Sequence, residues 1–174
     1  MAHPVPDSRT GTSADILYDA FYSGGIGGSV VALFFLLVDL IQGQALFTPS
    51  LMGSVLFEGA AAADVVDVSL AAVAYYTLLH FVVFCVLGFI VAFLVHEVEL
   101  HAKHPILVLL AAFVLFEAAF FVAAAVLMPG VVARVGPGSI ALANLLAAAG
   151  MTIFLLREHR PDVWSKVTHP TRAD

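Results

Sequence analysis

The chain has 174 residues, of which 61% are hydrophobic and 11% charged, with a formal net charge of −6. That apolar share exceeds the ~45–50% of soluble domains and excludes an ordinary water-soluble globule. No basic stretch interleaved with aromatics occurs, so there is no electrostatic footprint for nucleic acid. Cys85 is the only cysteine and lies in an apolar run. Neither an intrachain disulfide nor a thiolate metal cluster can be built from it, and it reads as a small buried hydrophobe.

In chain order, the first 22 residues contain Arg9 but no short apolar core followed by a cleavage site, so they do not read as a signal peptide. Thr12 and Asp15 form a capping-box pattern. It predicts a short interfacial helix with Ile16, Leu17, Ala20 and Phe21 on one face. Tyr18, Tyr22 and, far along the chain, Trp164 are candidate interfacial anchors.

Four apolar runs reach the roughly 20 residues needed to cross a bilayer: 24–41, 70–95, 105–128 and 138–156. In the first, Gly24, Gly28 and Ala32 form a small-residue stripe that permits close helix approach, and Asp39 extends it. The loop that follows contains Thr48 and Pro49, which suggest an N-cap and first helical position. They predict a short interfacial or re-entrant helix at Leu51 to Phe57.

The second run carries Tyr76, His80, Phe84 and Gly88 at intervals of four. Its helix should continue toward the breaker Pro105, lifting His96, Glu97, Glu99 and His101 out of the membrane. The third run places Glu117 between Phe113 and Phe121. The fourth carries Ala141, Asn144, Ala148 and Thr152 as one stripe, and residues 157–174 form a polar tail.

Arg9, Lys103, Arg157, Arg160, Lys166 and Arg172 all fall on the side of the termini, whereas Arg134 alone falls opposite. The loop 42–69 has acidic residues and no Lys or Arg. The positive-inside rule therefore places both termini in the cytoplasm. The expected architecture is all-α: a single-domain, integral membrane four-helix bundle in a bacterial-type inner membrane.

Ionisable groups within spans are expensive and usually face the bundle interior. Asp39, His80, Glu117 and Asn144 all lie at the midplane or in its outer half, with Tyr76 one turn from His80. Together they could form one outward-facing cofactor site for a metal ion, a singly ligated haem or a quinone, or relay protons. As the only deep histidine, His80 cannot supply bis-histidine haem ligation. The competing reading makes these residues interhelical hydrogen-bonding glue.

A second candidate metal site is His96, Glu97, His101 and His104. Glu97, His101 and His104 share a helical face, but the spacing departs from that of zinc proteases. No phosphate-binding glycine loop or nucleophile arrangement is present. The expected function is thus a non-enzymatic structural, accessory or assembly subunit in the lipid bilayer, beside other membrane subunits or further copies of itself. The alternatives are a bundle with the His80 and Glu117 site, or a small oligomeric transporter or channel.

Overall fold

The computed structural model describes residues 13–99 and 105–159, and every regular element among them is helical. The elements are α1 (Ser13–Ile41), α2 (Phe47–Phe57), α3 (Leu70–Glu99), α4 (Pro105–Leu127), α5 (Val131–Val135) and α6 (Pro137–His159). Of these, α1, α3, α4 and α6 are long and apolar enough to cross a bilayer. Their bounds lie close to the four expected spans, except that α1 begins much earlier.

Local chemistry sets several boundaries. Pro105 and Pro137 occupy first helical positions, where a missing N–H costs nothing. Ser69 caps α3, its Oγ accepting the Ala72 N–H at 3.2 Å. Gly130 and Gly136 bracket the single turn of α5 with φ of 84° and 93°, a region that L side chains avoid.

Two expectations are corrected. The N-terminal segment is not a separate interfacial helix, because α1 runs unbroken from Ser13 to Ile41. Its glycines do not interrupt it: no proline removes a hydrogen bond, and the bare backbone is used in packing. Second, α2 starts at Phe47 with Leu46 as N-cap at φ 66°, so Thr48 is neither the cap nor outside the helix. Most of α2, from Ser50 to Val55, is buried in the end of the bundle.

α1 is the central helix, with α3 against one side and α6 against another, and α6 in turn carries α4. The α1 and α3 backbones meet directly. A Cβ on Gly88 would lie 2.7 Å from the Gly24 nitrogen and collide with the Ala20 carbonyl, and one on Gly24 would strike the Phe84 carbonyl. The stripes of Gly24 and Gly28 and of His80, Phe84 and Gly88 therefore face each other.

α3 and α4 are consecutive but scarcely approach by backbone. Phe84 and Phe116 bridge their seam with ring centroids 5.7 Å apart, within a core that includes Phe35, Val91, Ala147 and Met151. At one end α2 wedges into this region, burying Leu51, Met52 and Val55 with Ala124, Met128 and Val131. Gly53 allows the wedge to reach the α3 backbone at Ala72.

Candidate functional site

Asp39 sits in the last turn of α1 and is 1% exposed. Its Oδ2 accepts the Thr48 N–H at 2.8 Å, and its Oδ1 accepts the Thr48 hydroxyl at 2.6 Å. A carboxylate from one helix thus caps the N-terminus of the next, where unpaired N–H groups and the helix dipole favour negative charge. Leu46 supplies no side-chain cap of its own. Each Asp39 oxygen already has a partner.

His80 is buried on the α3 face that meets α1, with Nε2 3.0 Å from the Gly28 carbonyl oxygen. A carbonyl can only accept, so Nε2 must carry the proton. In the neutral ring the lone pair then resides on Nδ1. Phe84, Phe81 and Tyr76 surround the imidazole at centroid distances of 4.7, 5.5 and 5.8 Å.

Glu117 and Asn144 meet at the α4–α6 seam, where Asn144 Nδ2 donates to Glu117 Oε1 at 3.4 Å. The bond is long for an amide donor on a carboxylate. Asn144 is buried, as are Ala148 and Thr152 on the same stripe, whereas Glu117 remains partly exposed. Thr152 Oγ1 is the buried side-chain polar atom that has no hydrogen-bond partner among the described residues.

The structure therefore divides the anticipated site residues into two groups. Asp39, Tyr76 and His80 belong to the region of α1, α2 and α3, and Glu117 and Asn144 to the seam of α4 and α6. No hydrogen bond joins His80 to Glu117 among the described residues. Nor do three His, Cys, Asp or Glu residues gather there in a metal-binding group. His96 and Glu97 fall in the last turns of α3, while His101 and His104 lie outside the described residues.

Tyr76, Thr77 and His80 line a cavity of about 170 Å³ that opens between α1 and α3, with Thr48, Pro49 and Met52 of α2 at one end. Two helices in backbone contact at one crossing separate beyond it, and α2 only partly fills the resulting wedge.

Two residues matter more than their sequence patterns suggest. Thr48 is the partner that occupies Asp39. Arg134 on α5 donates to the carbonyls of Ala62, Ala63 and Val65 at 2.6, 2.8 and 2.6 Å. Its guanidinium also lies 5.2 Å from the Phe47 ring centroid. The available signal was its isolation, since it is the one basic residue near a loop whose irregular backbone needs donors.

Compared with known proteins, the chain matches no family model, no curated protein and no solved structure.

Proposed function

We propose that the chain is a small integral membrane protein with both termini in the cytoplasm of a bacterial-type cell. In this reading it is a non-catalytic accessory or assembly subunit that packs one flank of α4 against a helix of a different membrane protein. The observation that carries the proposal is Glu117, an ionisable group midway along an apolar helix that is partly exposed and, among the described residues, held by one 3.4 Å amide contact.

In hydrocarbon such a group costs about 2.5–3.5 kcal/mol even on the lenient insertion scale. One long hydrogen bond offsets only part of that. A partner helix offering a hydroxyl, amide or basic side chain would supply the rest. Leu110 and Val114 share this flank and are 50% and 61% exposed. α4 is also the least enclosed long helix, with 17% of its apolar window buried against 44% for α6. Asp39, His80 and Arg134, by contrast, make hydrogen bonds of 2.6 to 3.0 Å within the fold.

Affinity purification from membranes in mild detergent tests this reading. Wild type and Glu117→Gln should retain a stoichiometric membrane partner that Glu117→Leu loses while keeping its helical content. Retention of the same partner by Glu117→Leu, or recovery of the wild type without one, would overturn it.

A further inference from the structure

The cavity between α1, α3 and the first turn of α2 shares no lining residue with α4 and has its own chemistry. Its volume of about 170 Å³ is close to that of an apolar protein cavity of about 150 Å³ that accepts benzene. One six-membered ring fits. Val31, Phe35 and Met52 supply apolar wall, and Tyr76, Thr77 and His80 from α3 are lining residues that carry polar groups. Leu33, which is 59% exposed, and the exposed Ala32 and Thr77 place the mouth on the flank of the bundle. A ligand would enter sideways, from the lipid.

The hydrogen-bonding pattern narrows the ligand class. Nε2 of His80 is committed to Gly28, so the neutral imidazole has only an acceptor, Nδ1, left to offer. A ligand bearing only carbonyl or ether oxygens cannot satisfy it. A ring hydroxyl can, and the Tyr76 phenol can donate to or accept from a second oxygen. Thr48, also in the wall, already donates its hydroxyl proton to Asp39. We infer that this cavity binds a lipophilic molecule whose head is a hydroxyl-bearing ring, of the phenol or quinol class, with its tail left in the bilayer.

Equilibrium binding to the purified full chain in mild detergent tests the inference with three probes: 4-octylphenol, its methyl ether and 1-dodecanol. The phenol should bind saturably, one per chain. The ether should bind about tenfold more weakly, equivalent to the ~1.4 kcal/mol of one hydrogen bond, and the linear alcohol should be weaker than the phenol. Ala32→Trp, which blocks the mouth from an exposed position, should abolish binding with unchanged circular dichroism and thermal unfolding. His80→Phe should bring the phenol down to the affinity of the ether. Equal binding of phenol and ether, dodecanol as tight as the phenol, binding that survives Ala32→Trp, or no saturable binding would each overturn it.

Discussion

Gly88→Ala and Gly25→Ala are the same chemical change in two long helices, and the structure assigns them opposite signs. Replacing a helix-interior glycine by alanine gains about 0.8–1.0 kcal/mol of helix propensity. At Gly25 nothing lies within 4 Å of the added Cβ, so most of that gain should survive. At Gly88 the Cβ would meet the Gly24 nitrogen at 2.7 Å and the Ala20 carbonyl closer still, where ordinary contact begins at 3.4 Å. Backbone cannot move aside as a flexible side chain can. Relief requires separating α1 from α3, which stretches the His80 to Gly28 hydrogen bond and loosens the Phe84 packing. Overpacking of this kind costs about 1–3 kcal/mol; because the obstacle is backbone, the upper half of that range applies and outweighs the propensity gain. Reversible unfolding in mixed micelles, followed by far-UV circular dichroism against denaturing detergent fraction, should show Gly88→Ala destabilised by about 1–2 kcal/mol net. Gly25→Ala should be neutral to stabilised. A Gly88→Ala protein as stable as Gly25→Ala would refute the close α1–α3 crossing.

Asp39→Ala should destabilise by about 2–4 kcal/mol, because it removes two charge-assisted bonds and leaves the Thr48 donors buried. Thr48→Val should cost about 1–2 kcal/mol, and the double variant should cost less than the sum, as an unfolding-based double-mutant cycle would show. Additivity would mean the two do not interact. Arg134→Gln should change global stability by less than about 1 kcal/mol, since the side chain is exposed. Limited digestion with a nonspecific protease should nevertheless cut the 58–69 loop about tenfold faster, because three carbonyls lose their donor and the loop opens locally. An unchanged cleavage rate would rule out that clamp.

Apolar length made the long helices legible in the sequence, with Pro105 marking where one of them starts. Small-residue spacing also exposed the inward faces of α1 and α3, with His80 on the latter. It could not say which helix each face would meet. A shared site for His80 and Glu117 was a reasonable expectation from depth, yet depth fixes height in the bundle and not the order of helices around it. Here α1 covers His80, while Glu117 turns to α6. The pairing of Asp39 with Thr48 was hidden for another reason: it depends on the chain reversing within a few residues through Leu46 in a left-handed conformation, which a non-glycine residue does not advertise. The early start of α1 is not evident from apolar length, because the capping pattern at Thr12 and Asp15 fits a short separate helix equally well, whereas the structure continues that helix into the span.

The most direct test of the proposed role places a photocrosslinking side chain at Val114, on the exposed flank beside Glu117, in native membranes. The account predicts one discrete adduct with a different membrane protein, formed when Glu117 is intact and also in the Glu117→Gln background, and absent in Glu117→Leu. Adducts with lipid alone, or an adduct of twice the 18.4 kDa chain, would contradict it.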